Sequence, residues 1–317
     1  MPELPEVQII VDDLNKKIIG RRITGVWFDW PKAITLRLTQ GYDEPSRIIK
    51  RPKPAEFKKQ IKGLKIIAIK RRGKNILVYL INPKSKIINL LLIHQKMTGH
   101  LLYGKWRIKK VHNSKFIAHS LLKGLFQEKT NGYVHLVFNL DNGWQLALSD
   151  LRKFAKILFG TKEEIENLPD LAKIGPEPLD GNFKVEKFIK ALWQTRGKRK
   201  IKQVLMDQEV VAGIGNIYSD EILWTAKIHP FKPANQLNSG QLKNLYMATK
   251  KILRKALRLR GTSISDFRDA NGKAGFYAEH MLVYQKEGKP CKRCRTTIKR
   301  VKIGGRSARF CPSCQRL

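Results

Sequence analysis

The residues with the clearest chemical pattern are four cysteines near the end of the chain. They are the only cysteines in the 317-residue sequence, and they form two C-x-x-C pairs, Cys291/Cys294 and Cys311/Cys314. Each such pair presents two sulfurs to one face of a tetrahedral ion, so the pattern predicts a four-thiolate site for one structural Zn2+. Disulfides or unpaired thiols are the alternative, which a reducing compartment disfavours.

The second group that could do chemistry is the Pro2-Glu3 pair at the N-terminus. A free α-amine titrates at about 7.7–8.0, so a useful fraction is an unprotonated nucleophile at neutral pH, unlike a lysine at about 10.4. Such an amine at Pro2 requires that Met1 be removed. The neighbouring Glu3 carboxyl is placed to move protons. Taken alone, Pro2 is better explained as a residue at the entry to a helix.

The charge of the chain points to a polyanionic partner. Lys and Arg number 63 against 26 Asp and Glu, which leaves a net charge of +37. Nucleic acid is the first candidate and an anionic membrane the second. The apolar run 87–93 falls far short of the roughly 20 residues that span a bilayer, and the acidic N-terminus lacks the apolar core of a signal peptide. We therefore expect a cytoplasmic protein, in the compartment that holds the DNA.

The first half of the chain has mainly strand patterns. Val7, Val11, Leu14 and Ile18 are spaced as on one helix face, which predicts a helix over residues 5–19. Seven runs typical of strands follow, and seven strands suggest two packed sheets: 24–30, 34–38, 64–70, 76–81, 87–93, 133–140 and 144–148. Residues 161–182 have little periodicity, and we interpret them as a linker.

The second half has mainly helical patterns, predicted over 185–193, 198–206, 216–227 and 241–260. The loop 261–279 is long enough to move over a ligand. Between the cysteine pairs, Gly304-Gly305 predicts the turn of a hairpin with strands 296–303 and 306–310. These patterns predict a domain over 1–160, a linker over 161–182, a helical domain over 183–285 and a zinc finger over 286–317.

Several short motifs, read together in chain order, give the sequence a family resemblance. The motifs are residues 2–7, 71–74, 93–94 with 97–99, 149–154, 175–179 and 213–218, together with the cysteine pairs and Gly305-Arg306. On these motifs the chain resembles the formamidopyrimidine-DNA glycosylase family from end to end. The resemblance implies a multidomain α+β fold: an N-terminal β-sandwich with a leading helix, a helix-two-turn-helix module and a C-terminal β-hairpin zinc finger.

The resemblance implies a base excision repair enzyme that flips oxidised purines out of duplex DNA and excises them. It then cleaves the abasic site by β,δ-elimination through a Schiff base on Pro2, after removal of Met1. In this family the residue matching Glu3 is the main acid/base group, and Lys74 lies near the reacting nucleotide. Arg306 is assigned to a phosphate that flanks the lesion, so these four residues form the predicted catalytic set. As an isolated side chain, Arg306 would be a surface charge.

The same resemblance predicts five further DNA-binding residues. Met97, Arg152 and Phe154 match the residues that fill the space left by the extruded nucleotide. His94 belongs to one of the matching motifs. Asn216 is assigned to the DNA backbone next to the lesion, and it would also serve well as a helix N-cap. Taken alone, Met97 and Phe154 would be assigned to core packing.

Some positions depart from the family pattern, and they affect the expected substrate more than the lyase chemistry. His100 and Leu151 replace a small residue and a proline, and Tyr277 and Gln285 also differ from common residues near the loop 261–279. The stretches 41–60 and 104–132 are long and basic, which fits either an extended DNA contact or a solvated surface. Two alternatives remain: an endonuclease VIII-like glycosylase for oxidised pyrimidines, and a non-catalytic zinc-finger DNA-binding protein. We expect a monomer.

Overall fold

A computed structural model describes residues 1–38, 47–111, 116–193, 199–264 and 266–317. Parts of the basic stretches 41–60 and 104–132, the predicted helix start at Lys198 and one position of the loop 261–279 lie outside the described residues. The chain forms two compact units. The first comprises Met1–Pro2, Glu6–Ala172 and Thr262–Gly275, and the second comprises Glu3–Pro5, Lys173–Gly261 and Phe276–Leu317.

The first unit consists mainly of strands. Its elements, in chain order, are α1 (Leu4–Ile18, from Glu6 onward), β1 (Ile23–Phe28), β2 (Ile34–Leu38), β3 (Arg47–Lys50), α2 (Pro54–Ile61), β4 (Lys65–Arg72), β5 (Asn75–Ile81), β6 (Ile88–His94), β7 (His100–Gly104), β8 (Trp106–Lys110), β9 (Phe116–Ser120), β10 (Val134–Leu140), β11 (Gln145–Ser149), β12 (Lys156–Thr161), α3 (Lys162–Glu166) and α4 (Pro169–Ala172).

Two sheets share one core in this unit, as the seven strand patterns predicted. One sheet has the order β1-β10-β11-β7, and the other has the order β3-β2-β12-β6-β5-β4. All neighbouring strands are antiparallel except β2 and β12, which are parallel. The core combines one face of each sheet with the apolar side of α1 at Val7, Val11 and Leu14, and with Phe57 of α2. Burial of this shared apolar surface is what holds the sheets together.

Part of the predicted linker 161–182 is helical. Thr161 caps α3: its hydroxyl accepts a hydrogen bond from the Glu164 amide at 3.3 Å, and Glu164 accepts one from the Thr161 amide at 2.9 Å. This reciprocal cap is the sequence signal S/T-x-x-E, which the periodicity argument overlooked because a five-residue helix has too few turns to show a period. Ile165 of this helix is buried.

The second unit is helical and ends in a hairpin. Its elements are α5 (Val185–Trp193), α6 (Ile201–Met206), α7 (Asn216–Ala226), α8 (Ser239–Arg258), β13 (Lys299–Ile303) and β14 (Arg306–Phe310). A core of side chains from α5 to α8 also encloses Leu4. The first hairpin strand begins at Lys299 instead of 296. Within the described residues no helix is both long and apolar enough to cross a membrane.

The segment 262–275 packs with the first unit, although the sequence places it after the last helix of the second. Phe267 and Ala270 are buried in the sandwich core. The segment begins at Thr262, whose amide donates a 2.8 Å hydrogen bond to Glu6 of α1. The Tyr103 amide of β7 donates a 2.8 Å hydrogen bond to the carbonyl oxygen of Ala270. The larger part of the predicted loop 261–279 is thus anchored to the sandwich.

Candidate active site

The carboxylate of Glu3 caps the N-terminus of α7 in the second unit. It accepts hydrogen bonds from the backbone amides of Gly215 at 2.6 Å, Ile217 at 2.9 Å and Tyr218 at 3.4 Å. Its side chain is almost fully buried, with 2% exposed. The first amides of a helix have no partner within the helix, and the helix dipole favours an anion there. The geometry therefore fixes both oxygens of the predicted acid/base residue.

Two glycines make room for this arrangement. A Cβ at Gly215 would lie 2.5 Å from Cδ of Glu3, and a Cβ at Gly213 would lie 2.5 Å from Cβ of Leu4. Gly213 also has a φ of +83°, a conformation that L side chains rarely adopt. Its carbonyl oxygen accepts a 3.0 Å hydrogen bond from the Leu4 amide. The Gly-x-Gly spacing thus lets the backbone close onto residues 3 and 4.

Pro2 is buried and follows an exposed Met1. In this form its nitrogen belongs to a peptide bond and has no nucleophilic lone pair. Removal of Met1 would convert it to a secondary amine directly preceding the fixed Glu3. The nucleophilic role of Pro2 stays a prediction.

Asn216 is the first residue of α7, and Gly215 is the N-cap, so the prediction of Asn216 as the N-cap was wrong. The reason is that Glu3, distant in sequence, supplies the capping oxygen. The Asn216 side chain is half-buried, and in the part of the chain that the structure describes its Oδ1 has no hydrogen-bond partner. Oδ1 is thus a buried acceptor with no donor in the described residues.

A buried ion pair supports the start of α7, and the sequence argument missed it. Nζ of Lys202 lies 2.5 Å from Oδ1 of Asp220, and both side chains have 0% exposure. Lys202 also donates to the hydroxyl of Ser219 at 3.1 Å and to the carbonyl oxygen of Asn216 at 3.4 Å. Burial lowers the pKa of Lys202, and the charge of Asp220 opposes that shift. One lysine among 63 basic residues gave no signal.

Lys74 and His94 lie close together in the first unit. Lys74 lies in the two-residue turn between β4 and β5, where Gly73 has a φ of +56° and its carbonyl oxygen accepts a 2.9 Å hydrogen bond from Arg71. Burial, together with the charges of Lys96 and Lys74, lowers the pKa of His94 to about 3. Nδ1 of His94 accepts a 3.0 Å hydrogen bond from the Lys96 amide. The ring is therefore neutral, with its proton on Nε2, which can donate to a phosphate oxygen.

The three residues predicted to fill the vacated space lie on two joined loops. Met97 is 37% exposed and Phe154 is 48% exposed, so neither is a core residue. The guanidinium of Arg152 stacks on the Phe154 ring, with 4.5 Å between Cζ and the ring centroid. This cation–π contact holds the two exposed side chains against each other.

Asp150 joins these two loops. It lies in the motif 149–154, but no sequence pattern predicted this structural role. One carboxylate oxygen accepts a short hydrogen bond from the Thr98 hydroxyl. The other accepts from the amides of Phe154 at 2.7 Å and Ala155 at 2.8 Å. Thr98 in turn accepts a 3.0 Å hydrogen bond from the Arg152 amide. The fully buried Asp150 thus fixes both loops at once.

Arg306 is the first residue of β14 in the second unit, and its side chain is exposed. It follows the predicted Gly304-Gly305 turn, in which both glycines have positive φ. A surface depression beside it is lined by Arg199, Asp207 and Arg306, and the Arg199 guanidinium lies 2.9 Å from the Asp207 carboxylate. The exposed Arg306 guanidinium has the N–H geometry that suits a phosphate.

The four cysteines come together as predicted. Their sulfurs all lie within 4.8 Å of one another, and Cys294 and Cys314 are 3.3 Å apart. Four sulfurs at bonds of about 2.3 Å from one tetrahedral ion require separations of this size. Backbone amides of Arg293 and Cys314 donate to Cys291 and Cys311, each at 3.4 Å, which favours thiolates. The donor set fits one structural zinc ion.

Comparison with known proteins decides the family. Residues 1–157 match the formamidopyrimidine-DNA glycosylase N-terminal domain, residues 174–268 match its H2TH domain, and residues 288–317 match the zinc finger found in FPG and IleRS. The chain belongs to the formamidopyrimidine-DNA glycosylase family. It is therefore a DNA glycosylase of base excision repair with a structural zinc finger, and abasic-site lyase activity is characteristic of this family.

Relatives of this glycosylase match it over their whole length. A formamidopyrimidine-DNA glycosylase of Pelotomaculum thermopropionicum is 36% identical over 317 residues, which is 100% of both chains. The Lactococcus lactis Fpg in complex with abasic-site DNA is 31% identical, with a TM-score of 0.76 over 99% of this chain and 100% of that one. A MutM complex with carbocyclic 8-oxo-G DNA is 31% identical, with a TM-score of 0.77 over 100% of both chains.

The predicted site residues of this glycosylase fall in both units. The first unit brings Lys74 next to His94, and it joins the Met97 loop to the loop of Arg152 and Phe154. The second unit joins Glu3 to the helix that begins at Asn216, and it carries Arg306 and the cysteines. The individual roles of these residues stay predictions.

Proposed function

We propose that this glycosylase excises oxidised purines, namely 8-oxoguanine and formamidopyrimidines, from duplex DNA and cleaves the resulting abasic site. The observation that carries the proposal is the fixed carboxylate of Glu3, held by three amides of α7 directly after Pro2 in the chain. A non-catalytic protein could use such a carboxylate as a helix cap, but it has no need for a terminal amine directly beside it. The family membership and the relatives crystallised with abasic-site and 8-oxo-G DNA support the same substrates.

In the proposed reaction the Pro2 amine attacks C1′ of the damaged nucleotide. The bond between C1′ and the base breaks and the base leaves with a proton. Because Pro2 is a secondary amine, protonation and opening of the sugar ring then give a positively charged iminium ion between its nitrogen and C1′. Loss of a C2′ proton then expels the 3′ phosphate, and a second elimination expels the 5′ phosphate. Glu3 is the proton carrier for ring opening, and the Lys74 ammonium and the His94 Nε2–H hold phosphate oxygens.

The remaining assignments concern the DNA around the lesion. Met97, Arg152 and Phe154 fill the space of the extruded nucleotide, because unstacking costs a few kcal/mol that inserted side chains offset. Asn216 and Arg306 hold the backbone next to the lesion. Because the predicted contacts all come from one chain, we infer that the enzyme acts on duplex DNA as a monomer.

Excision from duplexes that each carry one defined lesion tests the substrate class. We expect release of 8-oxoguanine and formamidopyrimidine at rates at least about tenfold above release of an oxidised pyrimidine such as 5-hydroxycytosine, since one polar contact commonly contributes a factor of this size. Faster release of the pyrimidine would favour the endonuclease VIII-like alternative. Absence of any base release by zinc-loaded enzyme lacking Met1 would overturn the proposal.

A further inference from the structure

His100 lies on β7 with its imidazole enclosed, only 1% exposed. Its Nε2 lies 3.0 Å from Oδ1 of Asn131, and its Nδ1 lies 3.3 Å from the carbonyl oxygen of Thr98. His100 therefore touches the loop that carries Met97 on one side and Asn131 on the other. The proposed reaction uses neither His100 nor Asn131.

The orientation of the Asn131 amide shows which atom carries the proton in the contact between His100 Nε2 and Asn131 Oδ1. Nδ2 of Asn131 donates to the carbonyl oxygens of Leu125 at 2.7 Å and Gly272 at 3.3 Å, so Oδ1 is the atom that faces the ring. Oδ1 can only accept, so Nε2 of His100 donates to it, and in the neutral ring Nδ1 carries no proton and makes no hydrogen bond to the Thr98 carbonyl oxygen. Burial lowers the pKa of His100, in keeping with a neutral ring. Asn131 itself has 0% exposure, so the loss of either partner would leave a buried polar group unsatisfied.

Gly272 belongs to a compact turn in the segment 262–275. Oδ1 of Asp269 accepts hydrogen bonds from the amides of Asn271 at 2.9 Å and Lys273 at 3.0 Å, and the Asp269 carbonyl oxygen accepts one from Gly272 at 2.9 Å. These bonds fix the shape of the turn. Its position on the sandwich depends on other contacts, among them the one from Asn131.

Asn131 lies one residue before the end of the basic stretch 104–132. A second contact between this stretch and the segment is the ion pair of Glu128 with Arg268 at 3.4 Å. Opposite charges at the surface contribute little, whereas the buried hydrogen bonds of Asn131 are both directional and shielded from water. The long stretch thus ends in a specific contact to residues 262–275.

We propose that His100 and Asn131 form a positioning pair that sets the place of the turn 269–273 relative to the Met97 loop, and that lesion excision depends on that placement. The proposal rests on the proposed function, in which Met97 fills the space that the extruded nucleotide leaves. A pre-formed abasic site has no base to release. The pair therefore matters for base excision and much less for abasic-site cleavage.

The test compares Asn131→Ala, His100→Ala and the conservative His100→Gln, whose amide keeps a donor for Asn131. Asn82→Ala is the matched control, because Asn82 makes its hydrogen bonds to Lys84 and Ser85 within its own turn. Three quantities are measured: single-turnover release of 8-oxoguanine, cleavage of a duplex with a pre-formed abasic site, and hydrogen exchange of the amides in residues 269–275.

We expect both alanine variants to slow base release at least about tenfold, the size of effect expected from a lost positioning contact, and to leave abasic-site cleavage within about twofold. Exchange should accelerate in 269–275 and stay unchanged in β6, and His100→Gln should recover most of the release rate. Unchanged exchange in 269–275, or equal losses in both reactions, would overturn the proposal. If the parent enzyme releases no base, the proposed function fails, and the exchange result still decides whether the pair positions the turn.

Discussion

The backbone amide of Gly215 donates a 2.6 Å hydrogen bond to the carboxylate of Glu3, 212 positions earlier in the chain. The bond is possible because glycine has no Cβ, which would lie 2.5 Å from Cδ of Glu3. The N-terminal residue predicted to move protons is thus placed by the start of a helix from the second half of the chain. This relationship makes the glycine as important to the chemistry as the carboxylate.

Gly215→Ala should therefore displace the Glu3 carboxylate, while the chemical identity of Pro2 and Glu3 stays the same. We expect base release to fall about a hundredfold, which is the scale of a lost proton-transfer group. Gly181→Ala is the control, because a Cβ at Gly181 meets nothing within 4 Å. Rates and zinc content are measured together. Full activity in Gly215→Ala would show that the position of Glu3 does not matter.

Phe154→Ala tests the residues that fill the vacated space. The variant removes an exposed ring and its stacking with Arg152, so we expect 8-oxoguanine release to fall about tenfold or more, because the cost of unstacking is no longer offset. Cleavage of a pre-formed abasic site should change much less. Phe116→Ala is the control, because that ring is 47% exposed, similar to Phe154 at 48%. Equal losses on both substrates would contradict the assigned role.

The burial of His94 should make the free energy of unfolding depend on pH in the acid range. Its pKa is about 3 in the folded protein against an ordinary 6.5, so from pH 6.5 downward the unfolded chain binds a proton that the folded chain does not. The stability contributed by the neutral ring is present above pH 6.5 and is lost as the pH falls toward 3. The slope for one proton is about 1.4 kcal/mol per pH unit.

In His94→Gln the unfolded chain no longer binds this extra proton, so the free energy of unfolding should fall less steeply with decreasing pH. Urea unfolding of the parent and the variant between pH 7 and pH 5 gives the two slopes, and His119→Gln on the exposed face of β9 controls for the loss of an imidazole. Identical slopes for parent and His94→Gln would mean that the ring titrates alike in the folded and unfolded chains.

Cys311→Ser tests the zinc site. The finger has little core of its own, and its buried Cys291 and Cys311 pack against Trp224 and Val283 of the second unit. Metal binding should supply much of its folding free energy, so we expect loss of the zinc ion and about a tenfold or greater loss of DNA affinity. Ser313→Ala, between Cys311 and Cys314, should keep both the zinc ion and the DNA affinity. Retained zinc in Cys311→Ser would disprove the four-thiolate assignment.

The sequence predicted those elements whose signal is local. Hydrophobic period gave the helix α1 and the seven strands, and cysteine spacing gave the zinc site. What it missed depends on contacts between residues far apart in sequence. Glu3 displaced Asn216 as the expected cap, and Asp150 acts through Thr98, 52 positions away. The pairing of Lys202 with Asp220 also requires the folded helix packing. Residues in such contacts have no period or spacing that would reveal them.

The central claim is that Pro2 is the nucleophile, and borohydride trapping tests it most directly. Borohydride present during the reaction should deliver hydride to the iminium carbon and leave a stable C–N bond between protein and DNA, and peptide mapping should place that bond at residue 2. Protein that retains Met1 should give no trapped complex, because its Pro2 nitrogen is an amide. Trapping at a lysine, with full activity in protein that retains Met1, would contradict the account.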